Sequence, residues 1–267
     1  MNKTATKKSF LEEVLPDSLQ NVFYKAWALV MFGGRFFIEL IKPPYEYKEF
    51  LKQCFEIGYK SIGLTSITGF IIGLTLTLQS IPTLSDFGAE SLVPSMVALA
   101  IILEIGPVIT SLIFAGKVGS SIGAELGSMK VTEQIDAMEI SGTNPYNYLV
   151  VSRVAATTIM LPLLVIYADT IALIGGYIAV NTVGGGMSFQ VFIQSSLTGL
   201  DFSDILPSTI KTFFFGFAVG VIGCYEGYNA DRGTESVGVA ANTSVVLSSL
   251  AIIILDMINV QITSILL

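Results

Sequence analysis

Five long apolar stretches, separated by short polar segments, constrain this chain more than any other feature. They cover roughly residues 61–81, 93–122, 151–180, 208–225 and 237–265. Each is long enough to cross a bilayer, which takes about 20 apolar residues in a helix. Charged residues make up only 13% of the chain, against about 25% in soluble domains. The sequence therefore predicts an all-α integral membrane protein with five transmembrane helices.

The first 60 residues have a different character. Residues 1–20 are polar and predict a cytoplasmic tail or a short surface helix. Residues 21–41 are apolar and aromatic but carry Lys25, Arg35 and Glu39. Charges on an otherwise apolar helix are typical of a helix that lies in the membrane interface; a short, poor transmembrane helix is the alternative. Residues 45–60 predict a mixed-charge helix. We therefore divide the chain into 1–60, a tail with interfacial helices, and 61–267, a five-span domain.

The distribution of basic residues predicts the topology. With the N-terminus in the cytoplasm, the two outer connections carry Asp86, Glu90, Asp201 and Asp204, and Lys211 is the one basic residue near them. The remaining Lys and Arg residues fall on the inner side or at its interface, as the positive-inside rule requires. The C-terminus is then periplasmic. Pro82 and Asp86 are expected to mark the first outer turn.

Several classes of function are excluded by composition. The chain has no histidine, which excludes His-based acid–base catalysis and His-ligated metal sites. Its 14 basic residues are scattered, which argues against nucleic acid as a partner. Lys117 follows a glycine but lacks the remaining Walker motif. No nucleotide site is predicted, so the chain is not expected to be an enzyme, and ATP-driven work would need a separate subunit.

Three acids, Glu104, Asp169 and Asp256, lie within apolar stretches. A carboxylate is costly in lipid, so each should face a protein interior, a cavity or a partner. Glu104 is followed closely by Pro107, which can kink the helix. Such an acid suits the wall of a substrate path, and a structural hydrogen bond between helices is the alternative.

Glycines recur every four residues in three of the apolar stretches. Such spacing places them on one helix face and lets two backbones approach closely; a loose membrane composition is the alternative. The sequence leaves open whether the partner is another span or a second copy of the chain. The glycines are Gly119, Gly123 and Gly127, Gly69 and Gly73, and Gly216 and Gly220.

The polar segment between the second and third stretches predicts a short amphipathic helix near residues 129–141. Val131, Ile135 and Met138 form an apolar stripe, and Gly142 is expected to end the helix. The helix could lie at the bilayer surface. Its acids argue instead for docking on a cytoplasmic protein, because the inner leaflet is itself anionic.

Three blocks make the chain similar to a known family. EIGPV at 104–108, AGKVGS at 115–120 and AELGSMKVTEQIDAM at 124–138 resemble the MlaE (YrbE) permease family. Asn144-Pro145, Pro162 and Gly227-Tyr228 also fall where that family has equivalents. The resemblance covers nearly the whole chain.

The resemblance implies a homodimeric permease of a lipid ABC transporter in the bacterial inner membrane. It implies a cytoplasmic ATPase dimer, which would bind ATP and Mg²⁺, and a periplasmic ring of MCE-domain protein. Together these would move phospholipids between the inner and outer membranes, with no cofactor in this chain. The resemblance also assigns a coupling helix that docks on the ATPase: Glu133, Gln134, Asp136, Ala137, Met138 and Glu139.

The same resemblance implies a lipid cavity at the dimer centre. Glu104 matches an acid near this cavity and Lys211 a basic residue near its outer mouth; Leu103, Leu78 and Ile81 are the other expected lining residues. Some family members have Arg where this chain has Leu103, so another amphiphile is an alternative to phospholipid. From the residues alone, an ion-coupled carrier or channel built around the three acids, or a membrane scaffold, is also open.

Overall fold

The computed structural model describes residues 17–43, 45–183 and 186–266. These residues form helices and connecting turns, with no strand among them. The helices are α1 (Asp17–Leu40), α2 (Tyr47–Ile57), α3 (Ile62–Asp86), α4 (Val93–Ala100), α5 (Gly106–Phe114), α6 (Ser120–Val131), α7 (Gln134–Ile140), α8 (Ser152–Val183), α9 (Phe189–Leu197), α10 (Phe202–Tyr228) and α11 (Thr234–Leu266).

Five continuous helical stretches are long and apolar enough to cross a membrane, which confirms the predicted all-α fold with five spans. We number them span 1 to span 5 in chain order. They are Tyr47–Asp86, Glu90–Val131, Tyr146–Val183, Ile205–Tyr228 and Thr234–Ile265. Short 3₁₀ turns, Tyr59–Ser61 and Glu90–Leu92, and π-helical segments join the α-helices within spans 1, 2 and 3.

The chain divides into two compact units, residues 1–45 and 46–267. In the first unit α1 is a single helix that exposes large apolar side chains on its surface, including Phe23, Trp27, Val30 and Ile38. It is not among the five candidate spans. Its aromatic and apolar surface is what an interfacial helix needs. The first part of span 1, the mixed-charge helix α2, belongs to the second unit.

Two local predictions were wrong. Pro82 lies inside α3 rather than in the turn, because losing one backbone hydrogen bond near the end of a long helix does not stop it. The chain leaves the helix only after Asp86, and Gly88 has a φ of 65°. Val131 ends α6 and is not on the same helix as Ile135 and Met138.

Span 3 is the centre of the second unit. In its most apolar part 67% of the residues are buried, against 11% in span 5. α3 and α10 both pack against α8 through glycines. A Cβ on Gly73 would lie 1.8 Å from the Ala172 carbonyl oxygen, and one on Gly216 would lie 2.5 Å from that of Thr157. These helices therefore meet backbone to backbone.

The three glycines of span 2 face span 5 of the same chain. A Cβ on Gly123 would lie 2.5 Å from the Ser244 hydroxyl, and one on Gly127 would lie 3.5 Å from the Val237 Cα. Gly119 lies between Val219 and Ser248. The four-residue repeat thus brings α11 close to α6, and the opposite face of α11 is exposed among the described residues, as at Val246, Leu250 and Ile253.

Candidate functional site

A buried lysine holds together three of the five spans. Lys211, on α10, forms ion pairs with Glu104 of span 2 and with Asp256 of α11, the second at 2.9 Å. Its side chain is 3% exposed, that of Glu104 43% and that of Asp256 20%. One cation thus serves two carboxylates inside an apolar domain, where an unpaired charge would be costly.

Helical spacing explains why these groups meet. On α10, Pro207, Ser208 and Lys211 lie within about one turn of each other, and on α11 a polar stripe repeats every three to four residues. The three α10 residues and the polar stripe of α11 border one pocket, which we call the Lys211 pocket. It has a volume of 340 Å³ and is lined by Leu103, Glu104, Pro207, Ser208, Lys211, Asn259, Val260, Thr263 and Ser264.

Three of the five predicted cavity residues, Leu103, Glu104 and Lys211, come together in this pocket. Leu78 and Ile81 are not among the described residues that line it. Leu78 is half-buried on α3, and Ile81 packs against the buried cluster that contains Val93. Asn259 and Thr263 were not predicted as site residues, and Asp256 was singled out only as one of three intramembrane acids. Their spacing of three and four in the last apolar stretch was the available signal.

The backbone of span 2 opens into a π-helical turn at Glu104. Residues Ile101–Ile105 form this turn, and the Gly106 N–H donates to the Ile101 carbonyl five residues back. Pro107 has no N–H, so it cannot donate to the carbonyls before it. The Ile102 carbonyl instead accepts a hydrogen bond from the Ser208 hydroxyl at 2.5 Å. This hydrogen bond to a carbonyl of the π turn therefore connects the Glu104 segment to α10, three residues before Lys211.

The third intramembrane acid, Asp169, does not join the Lys211 network. Its Oδ1 is buried and has no hydrogen-bond partner in the part of the chain that the structure describes. A Cβ on Gly106 would lie 1.9 Å from that oxygen, so glycine is needed at 106 for Asp169 to fit. The three acids thus form two separate groups rather than one row across the membrane.

The predicted coupling residues lie on α7 and the turn before it. Ile135, which was not among them, is buried and anchors the helix. Met138 is half-buried, and the other five predicted residues are exposed: Glu133, Gln134, Asp136, Ala137 and Glu139. Asp136 forms an ion pair with Lys130 at 2.9 Å. Glu133 has a φ of 59°. Gly142, at φ 82°, ends the turn after α7. Ile140, which was not predicted, is 89% exposed at the end of α7.

A second charged group lies near the beginning of span 3 and was missed by the sequence reasoning. Arg153 has a side chain that is 2% exposed; it donates to Glu125 at 2.8 Å and to the Leu149 carbonyl at 3.0 Å. Close by in sequence, Tyr148 donates to Glu49 of α2 at 3.3 Å. A lone arginine within an apolar stretch was the signal that an acid had to pair with it.

Metal ligands are not grouped in the described part of the chain: it holds no cluster of three or more His, Cys, Asp or Glu side chains. The Lys211 pocket has a mixed surface, with apolar side chains, hydroxyls and two charged residues, Glu104 and Lys211; Asp256 pairs with Lys211 beside it.

The family model and the bacterial relatives that this chain resembles are all described as permeases. The profile of the family described as "Permease MlaE" matches residues 50–262. A "Probable ABC transporter permease protein" of Rickettsia typhi is 39% identical over 215 residues, 80% of this chain and 83% of that protein. The "Intermembrane phospholipid transport system permease protein MlaE" of Haemophilus influenzae is 36% identical over 236 residues, 86% of this chain and 90% of that protein.

A plant protein is also similar. The chloroplastic "Protein TRIGALACTOSYLDIACYLGLYCEROL 1" of Arabidopsis thaliana is 30% identical over 235 residues, 88% of this chain and 67% of that protein. The bacterial relatives are named as permeases of transporters and not as enzymes.

Proposed function

Because the chain belongs to the MlaE permease family, we propose that it is the membrane subunit of an ABC transporter that moves phospholipids between the inner and outer membranes. The family match supplies the class, a multi-pass permease. The name of the Haemophilus influenzae relative supports phospholipid as the substrate. A separate ATPase subunit would supply the energy, and an MCE-domain protein would carry lipid in the periplasm.

The observation that carries this proposal is the Lys211 pocket. Its charged groups lie at one side, and Leu103 and Val260 provide apolar walls. An amphiphile requires both kinds of surface, since its headgroup needs polar partners and its chains need apolar ones. Glu104, which is partly exposed although it pairs with Lys211, can accept hydrogen bonds from the donors of a headgroup.

The open side of this pocket supports a homodimer. Span 5 has the lowest buried share of the five spans, and its polar residues Asn259, Thr263 and Ser264 border the pocket. Polar side chains are poorly placed against lipid and well placed between helices. We propose that a second copy packs along this face, so that two Lys211 pockets join into one cavity at the dimer centre.

The charge distribution supports the orientation of the chain. We place the N-terminus and α7 in the cytoplasm and the C-terminus in the periplasm, because the connections on the α7 side hold the basic residues. In this arrangement α7 would dock on the ATPase, and the Lys211 pocket would open toward the periplasmic ring of the MCE protein.

The shape of α7 supports a role in coupling. Ile135 fixes the helix to the domain, while Gln134, Glu139 and Ile140 remain exposed. An apolar side chain that is exposed beside acids is typical of a docking surface rather than of a solvated helix end. A movement of the ATPase would then pass from α7 to α6, the last helix of span 2, and along span 2 to the Glu104 segment.

We expect Glu133→Gly to reduce stimulation of the partner ATPase several-fold without lowering the Tm of the permease. Glycine accepts the φ of 59° at this position without strain, so the variant removes the carboxylate and keeps the turn. Measurements of ATP hydrolysis and of co-purified ATPase would check this. The control is Asp86→Asn, which removes an exposed acid at the last residue of span 1, on the side of the membrane that the proposed topology places opposite α7. Full stimulation by Glu133→Gly would contradict the role of this carboxylate.

The substrate is tested by purifying the permease with its ATPase and identifying the retained lipid by mass spectrometry. We expect phospholipid in the wild type. Leu103→Arg would add a cation to the Lys211 pocket and should raise the share of anionic phospholipid that is retained. Retention of a different amphiphile would contradict the proposed substrate. Substrate uptake without any ATPase would contradict the ABC mechanism and favour an ion-coupled carrier.

A further inference from the structure

A second, smaller pocket lies on the other side of Ser208 from the Lys211 pocket. It has a volume of 180 Å³ and lies between span 2, α8 and α10. We call it the Asp169 pocket. Its polar lining residues are Asp169, Thr170, Ser208, Thr209 and Thr212. Ser208 is the one polar residue that borders both pockets.

The hydrogens of the four hydroxyls that line the Asp169 pocket are already in use. Thr170 donates to the Ile166 carbonyl at 2.9 Å, and Ser208 to the Ile102 carbonyl at 2.5 Å. Thr209 and Thr212 donate to carbonyls of their own helix at 3.1 and 2.7 Å. Each of these hydroxyls therefore has lone pairs but no free hydrogen, so it can act toward the pocket only as an acceptor.

The carboxylate of Asp169 adds a further acceptor that lacks a donor. Its Oδ1 is buried without a hydrogen-bond partner among the described residues, and none of the described residues that line the pocket is Lys, Arg, Asn, Gln, Tyr or Trp. A buried carboxylate without a donor or counter-charge is costly in a membrane domain. Lys211, the cation on the neighbouring turn, is already paired with Glu104 and Asp256.

We propose that the Asp169 pocket binds a small alkali cation, Na⁺ or K⁺. The polar part of this lining offers oxygen acceptors and one carboxylate, which suits a hard cation and repels phosphate, because hard cations are bound by oxygen ligands. The cation would neutralise Asp169 and bring α8, α10 and the π turn of span 2 together. Its binding would stabilise the segment that positions Glu104.

This inference does not depend on phospholipid as the substrate. Its test uses the purified full-length permease at constant pH, with NaCl or KCl replacing choline chloride at constant ionic strength. We expect a saturable rise in Tm of about 5 °C when the cation is about 100-fold above its dissociation constant. Equilibrium binding of radioactive sodium should give one ion per chain, which potassium displaces if it shares the site.

Asp169→Asn should abolish both the rise in Tm and the binding of sodium. Thr209→Val removes the hydroxyl oxygen and loses only the hydrogen bond to the Ile205 carbonyl in the same helix. This variant should therefore fold, and it should bind the cation several-fold more weakly than the wild type. Asp231→Asn, an exposed acid in the loop before α11, is the control and should respond like the wild type. A wild-type Tm that is the same in choline, sodium and potassium, or an unchanged response in Asp169→Asn, would overturn the proposal.

Discussion

Replacing Lys211 with methionine should lower the Tm of the permease and abolish lipid transport. Methionine keeps the length of the side chain but leaves Glu104 and Asp256 without their shared cation. Breaking a buried ion pair by removing one partner costs about 3–5 kcal/mol. Because Glu104 is partly exposed, we expect about 2–3 kcal/mol after allowance for solvent screening. Thermal unfolding and lipid transfer by the assembled transporter measure the two effects.

A neutral triple variant separates stability from function. Lys211→Met combined with Glu104→Gln and Asp256→Asn removes all three charges, so no carboxylate is left unpaired. We expect this variant to regain most of the lost stability, since replacing a whole buried ion network is often close to neutral, and still to fail in transport. Lys60→Met, at an exposed lysine that pairs with Glu56, is the single-site control. A Lys211→Met variant as stable as the wild type would contradict the structural role.

The second large effect is expected from Gly73→Ala. The added methyl group would lie 1.8 Å from the Ala172 carbonyl oxygen, and this obstacle is backbone that cannot move without moving α8. Overpacking of this kind costs about 1–3 kcal/mol and sometimes more. We therefore expect a Tm lower by several degrees and a reduced yield of folded protein, measured by thermal unfolding and by size-exclusion chromatography.

Gly63→Ala is a matched control in the same helix. A Cβ at this position meets no atom within 4 Å, and alanine favours a helix over glycine by about 1 kcal/mol. Its Tm should be equal to or above that of the wild type. If Gly73→Ala and Gly63→Ala behaved alike, close backbone contact between α3 and α8 would not be what stabilises this part of the fold.

The features that could be predicted from the sequence are those encoded locally. Apolar length was sufficient for the five spans, and Gly142 correctly ended the turn after α7. Where a prediction needed the exact path of the backbone it was wrong, as at Pro82 and Val131. A proline does not by itself say whether a helix ends or continues, since packing against neighbouring helices decides this.

The site was only partly predictable because its members come from distant parts of the chain. Glu104 and Asp256 each stood out as acids in apolar stretches, but their common partner Lys211 is 107 and 45 residues away. The resemblance to the MlaE family implied that Lys211 lies near the outer mouth of a cavity, and its pairing with Asp256 was not predicted. Ion pairing across spans depends on helix rotation, which hydropathy alone does not determine.

The two π turns of span 2, Ile101–Ile105 and Ala115–Gly119, have a consequence for the register of its faces. In a regular α-helix each residue advances the side chain by about 100°, and a π turn accommodates one additional residue. Upstream of both turns Val93 and Val97 face the buried cluster with Phe192, whereas downstream Gly123 faces α11. Deleting one residue within either turn would therefore leave a regular α-helix whose two ends keep nearly their present faces, whereas a deletion elsewhere in span 2 would rotate one end by about a quarter turn relative to the other. The sequence positions that share one face of span 2 are thus offset by one residue across each π turn, and a single membrane crossing faces the Phe192 cluster at one end and α11 at the other.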